Sequence, residues 1–301
     1  MARRRPRLEA DRSAPPAIPH RSVDSGRAAA VGAAIIVALI TVWVFLPVAG
    51  FGYVNYDDPN YLRDNSVVLE GLTAEGVAWA FETFHTGNWH PLAWLSHMVD
   101  VELLGPEPGR HHAAGLALHV VSSLLLLFLV RAWTGSAGVA AAVAALFAWH
   151  PAHVESVAWL SERKDVLSAL FLWLALGAYT AYARRPAGTR ALPRLALVAL
   201  GLALALMAKP MAVTAPFLML LLDVWPLGRL TLDERPTWAR LRPLLLEKLP
   251  LFALVALSSA VTFLAQSRGG GVSSLEVLPL SERLGHAAVS IVTYLRMLVW
   301  P

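Results

Sequence analysis

Apolar residues in this chain come in long unbroken runs separated by polar stretches, not in the alternating or one-sided patterns of a water-soluble domain. The runs lie at residues 28–46, 112–130, 138–149, 166–182, 192–208, 211–224, 249–265 and 286–299. Each predicts a helix, and together they predict about eight membrane spans. A span perpendicular to the bilayer takes about 20 apolar residues. The runs at 138–149 and 211–224 are shorter than that. Between two runs, Lys209-Pro210 either breaks a hairpin or marks a re-entrant turn.

Composition supports an all-α integral membrane protein built as a polytopic helix bundle. The 301 residues are 56% hydrophobic and 15% charged, whereas soluble domains carry about 25% charged residues. The chain has no cysteine, which removes disulfides, thiolate metal sites and cysteine nucleophiles together. Residues 1–27 hold seven arginines, several prolines and little apolar material. They predict a disordered basic cytoplasmic tail ahead of one membrane domain, 28–301. The run at 28–46 reads as a retained span, because it is long enough to cross and no small-residue cleavage site follows it.

Charge sets the expected orientation. With the tail inside, 17 basic residues fall in the tail and inner loops and seven in the outer loops, with Arg296 inside a run. Acidic residues run the other way, nine of them between Asp57 and Glu107. This is the positive-inside pattern. It accounts for the net charge of +4 without a nucleic-acid partner. The outer stretch at 47–111 is far longer than a connector needs, and long loops usually carry structure or function. Within it, Thr73-Ala74-Glu75-Gly76 predicts a capped amphipathic helix lying on the membrane surface, with Trp79, Phe81 and Phe84 at the interface.

Four polar constellations fall on the predicted outer face. Asp57-Asp58 is an adjacent carboxylate pair just after the first run. Such a pair either binds a divalent cation through oxygen or lets one member act as general base while the other tunes it; the plainer alternative is a turn before Pro59. His90 and His97 bracket two turns of a segment beginning at Pro91 and offer imidazoles to a substrate or metal, or else one anchors an aromatic belt. The third run extends from His150 to Asp165, between the third and fourth apolar runs. Its His153 and Glu155 suit a metal, and its Arg163 and Lys164 suit a phosphate, with the anion the better fit. The fourth, Lys209, sits beside a helix-breaking proline, either facing an anion or snorkelling. Cations for a phosphate, an apolar groove for a lipid tail and a carboxylate for an acceptor hydroxyl are what transfer from a lipid-linked donor requires. A transporter is disfavoured, because the runs themselves are nearly free of charge.

Five motifs carry a resemblance: Asn55-Tyr56-Asp57-Asp58-Pro59, Gly87-Asn88-Trp89-His90-Pro91-Leu92, the stretch from His150 to Trp159, Glu162-Arg163-Lys164-Asp165-Val166-Leu167-Ser168 and Met207-Ala208-Lys209-Pro210-Met211. Over about residues 30–301 the chain resembles the membrane half of bacterial transmembrane and tetratricopeptide repeat-containing proteins, which are similar to the animal O-mannosyltransferases of that name. The resemblance implies a type-C glycosyltransferase architecture, with short interfacial helices in the first outer loop. It also implies a polyprenyl-phosphate sugar as donor, a protein or glycan as acceptor, and a mannosyltransferase-like hexosyl transfer. Carried over by motif, Asp58 is the expected base and Asp57 its partner or cation ligand. His90, His150, His153, Glu155, Arg163, Lys164, Asp165 and Lys209 are the expected substrate-binding groups. The expected setting is a bacterial plasma membrane, with the N-terminus cytoplasmic, the active face outside and membrane lipids around it. No cofactor is required by the pattern, although Asp57 and Asp58 leave a divalent cation open. Family members carry further spans and repeats, so the chain reads as a fragment. The rival expectations are a non-catalytic anchor for a repeat domain and a lipid-linked sugar binder or transporter.

Overall fold

A computed structural model of the chain describes residues 23–186, 192–231 and 237–300. Most of the basic tail therefore lies outside the described residues, as do Arg190 and Arg235 of the inner loops. Every regular element among the described residues is helical. In chain order the helices are α1 Val23–Phe45, α2 Ser66–Leu69, α3 Ala74–Glu82, α4 Pro91–Leu104, α5 Pro108–Thr134, α6 Ala137–Trp149 and α7 Val154–Ala158. Then follow α8 Arg163–Ala183, α9 Leu192–Ala208, α10 Ala215–Val224, α11 Trp238–Leu246, α12 Leu249–Arg268 and α13 Leu280–Val299.

All eight apolar runs are helical. Four helices among the described residues are long and apolar enough to cross a bilayer: Gly26–Gly50, Pro108–Thr134, Leu160–Ala183 and Leu249–Arg268. A fifth span results if α6 and Pro151–Ala158, which meet at a bend of 51°, are counted together. Helices α9 and α10 are apolar but shorter. Helix α13 has no buried residue, and it carries Glu282, Arg283 and Arg296. Against an expectation of about eight spans, four to five helices satisfy the length and composition of a full crossing among the described residues.

Small residues set the spacing of the bundle. Ala140, Ala144 and Ala148 repeat every fourth position on α6 and are fully buried in the cluster that joins α6 to α1 and α5. This is the small-residue seam that lets membrane helices approach closely. On α9, a side chain at Gly201 would meet the Ala175 backbone of α8 at 3.0 Å, so glycine lets these two helices pack closer than a larger residue would. Polar side chains then pin the helices pairwise. Trp149 donates to the Thr41 hydroxyl at 3.0 Å, Trp133 donates to Thr180 at 2.9 Å, and His119 Nε2 lies 3.1 Å from the Ala148 carbonyl. Inside an apolar bundle such bonds are worth about 1 kcal/mol each.

At the predicted inner end lies a network of ion pairs. Asp223 accepts from Lys248 at 2.6 Å, from Arg229 at 2.8 Å and from the Tyr179 hydroxyl at 2.6 Å. Arg229 also grips Glu247 through both guanidinium nitrogens, at 2.6 and 2.8 Å. Asp223 and Lys248 are both fully buried. Burial opposes the charge on Glu247, but Arg229 and Lys248 prevail and hold it down to about 2. Arg229 and Lys248, which count toward the positive-inside pattern, are therefore also structural ties between α8, α10 and the α11–α12 junction.

The 51–111 stretch folds into its own small core. Tyr61, Leu62, Val68, Ala80, Trp94 and Met98 form one buried cluster with Leu160. The predicted cap is present, since the Thr73 hydroxyl accepts from the Gly76 amide at 2.9 Å. Helix α3 does not present Trp79 outward as expected. That ring packs 5.3 Å from Trp94 in the aromatic cluster, because inward contacts on a neighbouring ring remove more apolar surface from water than a flat interfacial pose. Phe81 is exposed, and Phe84 lies under Arg268, 5.3 Å from the ring centroid.

The Asp223 network generates a stability prediction. Asp223→Ala leaves the Lys248 ammonium buried with Glu247 as its remaining carboxylate partner, and breaking a buried pair from one side costs about 3–5 kcal/mol. The thermal midpoint in detergent should fall accordingly, and an unchanged midpoint would show that the network adds no stability.

Candidate functional site

Four segments that are far apart in sequence meet at the end of the bundle opposite the Asp223 network. They are the 51–111 stretch, the 150–165 hairpin, the Lys209–Thr214 turn and the tip that follows α12. Asn88 accepts from Gln266 in the last turn of α12 at 2.9 Å, and Gly269 just beyond it packs on Gly87, which brings the last of these against the first. The central joint is Asp58. Its Oδ1 accepts from the Ser161 amide at 3.1 Å and from the Ser161 hydroxyl at 2.5 Å, and its Oδ2 accepts from the Val54 amide at 2.7 Å. Asp58 is fully buried. Its carboxylate is thus committed to holding the first outer stretch on the hairpin. Asp57 is half-buried, and its carboxylate accepts no hydrogen bond among the described residues.

Asp57 and Lys164 both act electrostatically on the Tyr61 hydroxyl, and Lys164 belongs to a charged cluster centred on Glu162. Lys164 pairs with Glu162 at 2.8 Å and lies 4.9 Å over the Tyr61 ring. Lys209 pairs with Glu162 at 3.0 Å and contacts Asp165, and Ser156 donates to Asp165 at 3.0 Å. Two ammonium groups therefore face two carboxylates. Burial opposes the Lys209 charge, but its bonds to Asp165 and Glu162 leave its pKa raised. Lys209 takes this position because Pro210 ends α9, leaving Lys209 in extended backbone before a short turn of 3-10 helix.

His90 completes one wall. Its ring stacks on Tyr61 at 5.4 Å and lies 4.9 Å from Trp94, and its Nε2 is buried without a hydrogen-bond partner among the described residues. Burial, with the nearby Lys164 charge, pushes His90 down to about 3, so its ring is neutral at physiological pH. Next to the cluster, a cavity of about 290 Å³ is lined by Phe147, Leu172, Trp173 and Met211, with His153, Ser156 and Asp165 among its polar groups. Apolar walls meeting a charged rim suit an amphiphile.

The remaining expected groups are placed differently. Arg163 does not face a phosphate. It is 2% exposed, it is bound to Asp100 and to the His111 carbonyl, and it borders only a void of about 10 Å³. An arginine drawn into the protein interior needs such fixed acceptors, and sealed among them it is out of a ligand's reach. His150 acts as a cap: its Nδ1 accepts from the Ala152 amide at 3.2 Å, while its Nε2 faces the Leu298 carbonyl of α13 at 2.9 Å. Glu155 is exposed on a shallow surface with Tyr56 and Trp159, away from Glu162. The hinted pairing of His153 with Glu155 is absent; His153 packs on Phe147 at 4.6 Å. Sequence reading assigned no role to Glu162, Tyr61 or Ser161, although Glu162 stands inside a quoted motif. Its signal was its position beside Lys164, between two cations that only the fold brings together.

Comparison with known proteins points the same way. The chain is 36% identical over 149 residues to protein O-mannosyl-transferase Tmtc1 of Drosophila melanogaster, covering 49% of this chain and 17% of that protein. It is 31% identical over 196 residues to Drosophila Tmtc2, covering 60% of this chain and 20% of that protein. It is 34% identical over 105 residues to human TMTC1, covering 35% and 12%. The chain thus spans a fifth or less of the length of these relatives. No family model and no solved structure matches it.

Two measurements test this geometry. Ser161→Ala removes the short bond to a buried carboxylate, and hydrogen bonds to charged groups contribute about 1.5–3 kcal/mol. The variant should melt earlier in detergent, and its 51–65 segment should become more accessible to protease. Because the folded-state pKa of His90 lies below that of the unfolded chain, folding excludes a proton. Its contribution is full above about pH 6.5 and is lost as pH falls toward about 3. His90→Phe keeps the stack and takes no proton. Its melting temperature should therefore drop less than the parent's between neutrality and about pH 5.

Proposed function

We propose that this chain carries the catalytic membrane part of a glycosyltransferase that moves a hexose, mannose-like, from a polyprenyl phosphate to a protein or glycan hydroxyl. The observation that carries the reading is a charged rim, Lys164 and Lys209 against Glu162 and Asp165, beside an apolar cavity that Asp165 also lines, with Asp57 acting on the same Tyr61 hydroxyl as Lys164. The likeness to protein O-mannosyl-transferases supports it. In this scheme the lipid tail occupies the cavity bordered by Phe147 and Trp173, and the donor phosphate approaches Lys209 and Lys164. The acceptor oxygen bonds to the anomeric carbon as the bond from that carbon to the phosphate oxygen breaks. The phosphate leaves with the electron pair, and Asp57 takes the hydroxyl proton.

Geometry moves the proposed base from Asp58 to Asp57. A carboxylate that already accepts three hydrogen bonds in a sealed position has no path to an acceptor. Phosphate binding asks Lys209 to exchange part of its bonding to Asp165 and Glu162 for phosphate oxygens, an exchange between equal charges. His90, neutral and sealed against Tyr61 and Trp94, would serve as a wall of the site rather than a contact to the sugar. With basic loops inside, this rim faces away from the cytoplasm; the bacterial plasma membrane as its setting rests on the sequence resemblance.

The test is transfer of labelled sugar from a polyprenyl-phosphate donor by full-length protein in native membranes. Asp57→Asn should lower turnover by about 10²–10⁴-fold, the usual weight of a general base, with insertion and melting unchanged. Lys209→Gln should raise KM for the donor more than it lowers kcat. An Asp57→Asn variant with full transfer would remove Asp57 from the chemistry. Parent protein that binds the donor but never turns over would favour the binder or anchor reading.

A further inference from the structure

A second polar centre lies behind the first, and neither the transfer scheme nor the expected site includes it. His97 of α4, Asp100 one turn later and His111 at the start of α5 turn toward one point. One ligand atom from each lies within 4.8 Å of the others. His97 and His111 are fully buried, and Asp100 is 9% exposed. The chain is folded back at Gly105, which ends α4 with a φ of 84°. That reversal brings residues 97 and 111 together across 14 positions.

The hydrogen bonds decide what these atoms offer. His111 Nε2 lies 3.1 Å from the Gly105 carbonyl, and a carbonyl only accepts, so that nitrogen carries the proton. In the neutral ring the lone pair is then on Nδ1. His111 Nδ1 points at Asp100 Oδ2 at 3.4 Å and at His97 Nδ1 at 3.5 Å. A charge-assisted hydrogen bond should draw such atoms to about 2.7–2.9 Å. Ligands of a tetrahedral zinc, each about 2.0–2.1 Å from the ion, stand about 3.3–3.4 Å apart. Both spacings match ligand edges better than proton bridges. The supports that a metal site requires are also present: the Gly105 carbonyl fixes the His111 ring, and Arg163 holds the Asp100 carboxylate through the same Oδ2 that faces His111.

We propose that His97, Asp100 and His111 form a site for a zinc-type divalent cation, with His97 Nδ1, His111 Nδ1 and an Asp100 oxygen as ligands. Two imidazoles and one carboxylate suit zinc among the common ions. Three protein ligands leave a fourth position for water, on the side where Asp100 meets solvent. Arg163 tempers the affinity, because its charge bears on the same carboxylate, so binding is weaker than at a closed four-ligand zinc site. The ion would lock the α4–α5 reversal onto Arg163, two residues past the serine that holds Asp58. Its role is to brace the outer rim, and it stands whether or not the chain transfers sugar.

The experiment uses full-length protein purified in detergent, stripped with chelator and then dialysed against zinc chloride. Elemental analysis should find one zinc per chain in the parent. His97→Gln/His111→Gln should retain less than a tenth of that. Zinc should raise the melting temperature of the stripped parent and leave that of the double variant unchanged. Cobalt chloride should give the parent the visible absorption of a four-coordinate site. Asp100→Asn, which keeps shape and one oxygen, should bind with an affinity at least tenfold lower while remaining folded by circular dichroism. A folded parent that retains no zinc would overturn the proposal, as would equal retention by the double variant.

Discussion

A buried aspartate joined to a distant serine organises one end of this protein. Asp58 alone, at the mouth of an apolar bundle, is an expensive group to remove from water, and it is tolerable because the Val54 amide and both donors of Ser161 meet it. Once that joint is made, the neighbouring residues have little freedom. Asp57 is turned away from the latch, Tyr61 enters the aromatic cluster, and Glu162 and Lys164 follow Ser161 into reach of Lys209. The charged rim is therefore a consequence of one satisfied carboxylate, not a set of independent placements.

The same rule, that charge removed from water must find charge or a fixed dipole, explains why adjacent residues do unlike things. Arg163 and Lys164 are neighbours, yet one is sealed against Asp100 and the His111 carbonyl while the other lies over Tyr61 beside Glu162. Successive positions at a helix start point about 100° apart, so the first enters the interior and the second faces the rim. Aspartates 57 and 58 divide likewise into one available group and one structural group.

Much of this was legible in the amino-acid order. The apolar runs are helices because nothing in them competes with helix in an apolar medium, and Thr73 caps α3 as its spacing to Gly76 implied. Meeting of the Asp57-Asp58 stretch with the hairpin was also foreseeable, since both lie on the predicted outer side. What escaped were pairings across long separations. Nothing near Arg163 announces Asp100, 63 residues away, so a dense run of charges reads as a wet surface. Glu162 looks like one more loop acid until Lys209 arrives from 47 residues on. His111 carries no local motif, and its meeting with His97 depends on the direction of the chain at Gly105.

The ion-pair network at the opposite end bears on biosynthesis. Asp223 is followed six residues later by Arg229 and 25 residues later by Lys248, so the acid and both cations that meet it are made as one short stretch of chain. Holding such an acid unpaired within lipid costs a few kcal/mol. Helix α10 ends at that acid, so its seating in the membrane is tied to the loop that brings Arg229 back and to the start of α12.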